Sequence, residues 1–174
     1  MRVLVIFESM YGNTARVAAA IGDRLQERGL ETDLVPIDQA GPDKIAKANL
    51  LVVGGPTHMH GMSRDMTRRG AAKDTKNRYE HPTVTPGIRT WLHELPKGGG
   101  RPAVAFDTRI DASIALTGSA AKGIGHELIR HDFQLALPPQ SFLVTKDNTL
   151  VEGETERAGD WAGAVVDALG VASR

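Results

Sequence analysis

Ser9, Tyr11 and Thr14 bring three hydroxyls into six residues around Gly12-Asn13. Hydroxyls next to a glycine, where the backbone can come close to a ligand, suit the recognition of a phosphate. No lysine or arginine lies within Ser9-Met10-Tyr11-Gly12-Asn13-Thr14. The pattern therefore differs from the lysine-bearing GxxxxGK[ST] loop of nucleotide triphosphatases and fits a terminal phosphate monoester held by hydrogen bonds. A second chemical stretch, Gly54-Gly55-Pro56-Thr57-His58-Met59-His60-Gly61-Met62-Ser63, is rich in glycine, methionine and histidine. Those residue types suit a flat, partly apolar ring. His58 and His60 at i, i+2, with Asp65 the nearest carboxylate and no cysteine in the chain, make an incomplete ligand set, and no metal site is expected. Ser9 also lacks the GxSxG elbow of a hydrolase nucleophile.

These stretches need elements to place them. Val3-Leu4-Val5-Ile6-Phe7 is a short, β-branched apolar run, which predicts a parallel strand buried on both faces. The loop leaves this strand and enters a helix over about 14–28, marked by Val17, Ala18, Ile21 and Leu25, with Asn13 or Thr14 as the expected cap. A loop followed by a helix N-terminus points several N–H groups and the positive end of the helix dipole at one place. Residues 32–37 read as an edge strand because Pro36 cannot donate to a ladder. A short helical turn from Gly41-Pro42 follows, then a third buried strand, Leu50-Leu51-Val52-Val53. The βαβαβ alternation predicts a parallel sheet with helices on both faces, and its expected order is 2-1-3-4-5. Strands one and three then flank the switch in strand order, and both chemical loops rise there side by side.

Glu8-Ser9-Met10-Tyr11-Gly12-Asn13-Thr14 after the first strand, followed by Gly55-Pro56-Thr57 after the third, resembles the flavodoxin-like proteins. The resemblance covers essentially the whole chain. It implies an α/β three-layer sandwich around a five-stranded parallel sheet. It also implies non-covalent FMN, with the phosphate in the first loop and the isoalloxazine between the second and third. The run through His60-Gly61-Met62-Ser63-Arg64 and Phe106-Asp107-Thr108-Arg109 is similar to flavodoxin-family proteins without an assigned activity. On this resemblance the cofactor contacts are Ser9, Met10, Tyr11, Gly12, Asn13 and Thr14 for the phosphate. Pro56, Thr57, His58, Met59, His60, Gly61 and Met62, with Asp107, Thr108 and Arg109, surround the ring. Gly61, lacking a Cβ, would permit a peptide flip that offers a carbonyl to the ring. A protonated histidine there would raise the flavin potential. The implied function is electron transfer with a redox partner protein. A second possibility is an NAD(P)H oxidoreductase acting on quinones or similar acceptors, and a third is a flavin-free module that uses the same cleft.

The rest of the chain bounds these readings. Its 174 residues, 41% hydrophobic, suit one domain spanning 1–174. The 21 basic side chains balance 21 acidic ones, so no general attraction to nucleic acid or an anionic membrane is expected. The absence of cysteine and of any long apolar run fits a cytoplasmic protein. Positions 64–89 nonetheless carry seven cations against three carboxylates. Residues 64–85 form a basic insertion, poor in apolar periodicity, whose arginines could meet the 2′-phosphate of NADPH, an anionic substrate or an acidic partner; a solvated loop is the expectation. A helix with Ile88, Trp91, Leu92 and Leu95 on one face follows. Then come a fourth strand over 102–106, a helix over about 119–130, a fifth strand interrupted at Pro138-Pro139, and a last helix over about 154–169.

Overall fold

The computed structural model describes residues 1–58, 60–74 and 77–170. Strand β1 (Arg2–Phe7) leads into helix α1 (Asn13–Glu27), and β2 (Glu31–Pro36) passes through a 3-10 turn to α2 (Pro42–Lys47). A long β3 (Leu50–His58) folds back as the two-residue β4 (Gly61–Met62), followed by α3 (Asp65–Lys73) and α4 (Ile88–His93). The second half contains β5 (Pro102–Ile110), α5 (Ile114–Thr117), α6 (Ala120–Arg130), β6 (Gln134–Leu135), β7 (Gln140–Val144) and α7 (Glu154–Ala168).

The sheet runs β2-β1-β3-β5-β6, with β7 also pairing with β5. All of these pairs are parallel. β6 and β7 are two pieces of one strand interrupted at Pro138-Pro139, and β4 is a hairpin return antiparallel to β3. The order is thus the expected 2-1-3-4-5, and the fold is flavodoxin-like.

Alternation along the strands sends side chains to two cores. Leu4, Ile6, Leu51, Val53, Ala103 and Ala105 meet Ile45 of α2, Ile88 and Leu92 of α4, and Ile124 and Leu128 of α6. Val3, Val5, Val52, Val104 and Phe106 meet Val17, Ile21 and Leu25 of α1 and Ala158, Ala162 and Val165 of α7. Each such valine, leucine or isoleucine side chain contributes roughly 1.5–3 kcal/mol. Phe106, Phe142 and Trp161 meet edge to face at 6.0–6.3 Å between ring centres. Trp91 is buried on the other side and donates its indole N–H to the Ala40 carbonyl at 3.0 Å.

Two features depart from expectation. β3 and β5 run on to His58 and Ile110, pairing Gly55 with Asp107 and Pro56 with Thr108, so the stretches read as loops are strand ends. Gly54 permits this extension because the Phe106 ring lies where its Cβ would be. The insertion is also not a solvated loop throughout. It contains α3, and Arg68 on that helix is only 2% exposed. The Arg68 guanidinium donates to the Val84 carbonyl at 2.8 Å and the Ser63 hydroxyl at 3.0 Å, pairs with Asp65, and lies against Gly87. A charge buried in this way has no apolar periodicity, which is why the sequence pattern missed it.

Candidate functional site

The carboxyl ends of β1, β3 and β5 surround a cleft of about 290 Å³. The first loop arrives from β1, where the Glu8 N–H donates to the Gly54 carbonyl at 2.9 Å. The Ser9 hydroxyl accepts from the N–H groups of Gly12 (3.1 Å) and Ala15 (3.4 Å) and so folds the loop onto the helix start. Gly12, at φ 88°, is the residue that precedes α1, a conformation L side chains avoid. This corrects the expected cap, since Asn13 and Thr14 are already helical. Their side chains act elsewhere: Asn13 donates to the Asn148 carbonyl at 2.8 Å, and the Thr14 and Thr108 hydroxyls are 2.8 Å apart. By position, the N–H groups of Asn13 and Thr14 have no acceptor within the helix. The Tyr11 hydroxyl donates to Asp74 at 3.1 Å, and burial together with that carboxylate raises its pKa, so the phenol stays protonated.

The insertion fixes this loop from behind. Thr83 exchanges two hydrogen bonds with Ser9, donating its N–H to the Ser9 carbonyl at 2.8 Å and accepting the Ser9 N–H on its hydroxyl at 3.2 Å. Asn77 donates to the Met10 carbonyl at 2.8 Å. Beneath the loop, Glu8 is fully buried; one carboxylate oxygen accepts from the Ile88 N–H at 2.6 Å, while the other has no hydrogen-bond partner. Burial raises the pKa of Glu8, against the opposing pull of Ser63, the Ile88 N–H, Arg68 and Arg89.

Pro56, Thr57 and His58 line the second wall. Burial lowers the pKa of His58, so its neutral form is favoured; the positively charged ring neighbour considered from sequence does not arise from His58. Met59 lies outside the described residues. His60 is exposed at φ 71°, so it, rather than Gly61, takes the left-handed position of the hairpin. Its carbonyl rests on Gly118, where a Cβ would collide, and a backbone bridge joins the two residues across the loops. Met62 turns into the core against Gly123.

Thr108, Arg109 and Ile110 form the third wall. Arg109 donates to the Ala112 carbonyl at 2.6 Å, while its buried Nε–H has no acceptor. Asp107 faces away from the cleft. Its Oδ2 accepts from the hydroxyls of Thr57 (3.0 Å) and Ser119 (2.7 Å) and from the Ala121 N–H (2.8 Å), tying the start of α6 to β3 and β5. The cleft therefore gathers Ser9, Met10, Tyr11, Asn13, Thr14, Pro56, Thr57, His58, Thr108 and Arg109, and leaves Gly12, His60, Gly61, Met62 and Asp107 outside its lining. Sequence reasoning missed Ile110, Val144 and Asn148. Asn148, at φ 56°, sits in the turn after β7, and only the turn-forming Asp147-Asn148 pair hinted at it.

Among the described residues, the lining contains hydroxyl, amide and guanidinium donors and no carboxylate. Such a cleft can hold a phosphate monoester. Among the described residues, no three His, Cys, Asp or Glu side chains gather to hold a metal ion, and no helix is long and apolar enough to cross a membrane.

The match of known structures to this fold is broad. A flavodoxin from the domain Archaea is 15% identical at a TM-score of 0.67, covering 98% of this chain and 99% of its own. The Streptococcus pneumonia TIGR4 flavodoxin is 14% identical at 0.67, covering 96% and 99%. Rubredoxin oxygen:oxidoreductase from Desulfovibrio gigas is 17% identical at 0.67, and 97% of this chain corresponds to 36% of that larger chain. At these identities the likeness is one of fold. No curated protein sequence matches the chain. The sequence model of the family described as Flavodoxin matches residues 5–126, which takes in the first loop, the β3 end and the β5 end together, and the chain belongs to the flavodoxin family.

Proposed function

We propose that this chain binds FMN non-covalently and takes part in electron transfer. One observation carries the reading: the loops at the ends of β1, β3 and β5 converge on a donor-lined cleft that holds no carboxylate among the described residues. The phosphate would sit at Ser9–Thr14 against the start of α1, and the ring between Pro56–His58 and Thr108–Arg109. Bound there, FMN supplies one- and two-electron chemistry, and the protein supplies position and electrostatics. Tyr11 stays neutral with its proton given to Asp74, and burial favours the neutral form of His58. The electrons would pass to or from a separate redox partner.

Titration of the purified chain with FMN, with riboflavin as the control that lacks phosphate, tests this by flavin fluorescence. Tight binding of FMN over riboflavin is expected. Equal affinity would remove the phosphate site, and no binding at high FMN would remove the electron-transfer reading.

A further inference from the structure

A larger groove, about 920 Å³, opens on the other side of the first loop, within the size range of small-molecule sites. It touches the flavin cleft only at Tyr11 and Asn148, which line both. We propose that this groove is a second ligand site, for an aromatic anion of the nucleotide class. The proposal does not rest on the FMN reading.

The floor is flat. Gly12, Ala15 and Ala19 succeed one another along the start of α1 and offer no side chain beyond Cβ. One wall is the insertion, where the Tyr79 ring packs 3.0 Å from the place a Gly12 Cβ would take, with Asn77 and Arg78 beside it. The opposite wall is the 146–149 turn. Described residues of both walls are already held. Asn77 donates to the carbonyls of Met10 and Ala71, and the turn is closed by the Thr145–Thr149 hydroxyl contact at 2.7 Å and by Asn13 on the Asn148 carbonyl. A groove built before its ligand arrives avoids the ordering cost of binding.

Its chemistry is that of a nucleotide. A planar base can lie on the small-residue floor against Tyr79, since ring stacking does not depend on the identity of the base. Arg16, Arg78 and Lys146 stand around the groove and form no ion pair among the described residues. Guanidinium groups so placed suit phosphate. The three cations face two carboxylates: Asp74, which already accepts from the Tyr11 hydroxyl, and Asp147, which adds an acceptor at the turn. A simple aromatic acid would leave that acceptor without use. A nucleotide brings sugar hydroxyls and amino groups that can donate to it.

Calorimetric titration of the full chain with adenosine 2′,5′-bisphosphate, without flavin and again with saturating FMN, tests the site, with adenosine and inorganic phosphate as controls. The bisphosphate should bind saturably in both cases. Arg78→Glu should weaken it by about tenfold or more. Ala19→Trp, which raises the floor, should abolish it while the FMN titration stays as in the parent chain. No saturable heat, displacement of the bisphosphate by FMN, equal binding by Ala19→Trp, or inorganic phosphate binding as tightly as the bisphosphate would each overturn the proposal. Because one titration contains no flavin, failure of this groove to bind and failure of the cleft to bind FMN give different results.

Discussion

Glu8 is a costly charge, buried at a strand end with one oxygen lacking a partner. Its pKa is raised by burial, so the folded state holds its proton more tightly than the unfolded chain. The stabilising contribution is therefore complete below the ordinary glutamate value and is lost as pH rises through the folded value. Glu8→Gln removes this dependence. Thermal melts across that range should show the parent chain gaining on the variant as pH falls from neutrality. Thr14 is a second test at this scale. Thr14→Val breaks the contact with Thr108 and removes a donor beside the first loop, which should cost about 1 kcal/mol of stability. In fluorescence titrations its FMN affinity should fall and its riboflavin affinity should not. The hydroxyls of this loop were legible in the sequence as phosphate-type donors. Their partners were not, because Thr83, Thr108 and Asn148 lie 74, 94 and 135 positions from the residues they meet. Nor could spacing show that Asp107 ties α6 to the sheet while Met62 fills the core.

The strands and the larger helices were legible at the level of elements because each buries a stripe or a face of aliphatic residues with its own period. The two-residue β4 was not, and neither were two helices. Helix α3 is organised by a buried arginine, and α5 leaves Ile114 and Leu116 exposed. The role of Arg68 can be checked directly. Arg68→Met keeps the buried stem but strips the donors from Ser63 and the Val84 carbonyl, which should cost about 1–3 kcal/mol. Because these bonds lie inside the insertion, the loss should be local. Amide hydrogen exchange should speed up over the described residues between 63 and 87 and stay slow in β1, β3 and β5. Uniform acceleration across the sheet would contradict that picture. The clasp between His60 and Gly118 is likewise a contact between elements, and it joins the chain after β3 to the chain after β5, on either side of the space expected to hold a ring.

Across the whole molecule, stability rests on two cores separated by one sheet, and Phe106 is the side chain that most clearly ties strand extension to packing. It fills the space over Gly54 and joins Phe142 and Trp161. Phe106→Ala should cost about 3–5 kcal/mol, seen as a lower denaturant midpoint for unfolding. The parallel sheet with helices on both faces, by contrast, was available from the βαβ alternation, while its order rested on reading the two chemical loops as neighbours at a switch point. The two borders of the sheet carry a further consequence. One border is β2, which closes on Pro36 and carries Glu31 and Asp33; the other is split by Pro138-Pro139 into runs of two and five residues. Neither border offers a long, uninterrupted row of amides to another copy of the chain. The same prolines that blur the last strand in the sequence thus protect the protein from strand-by-strand fibre growth, and concentrated solutions should resist it.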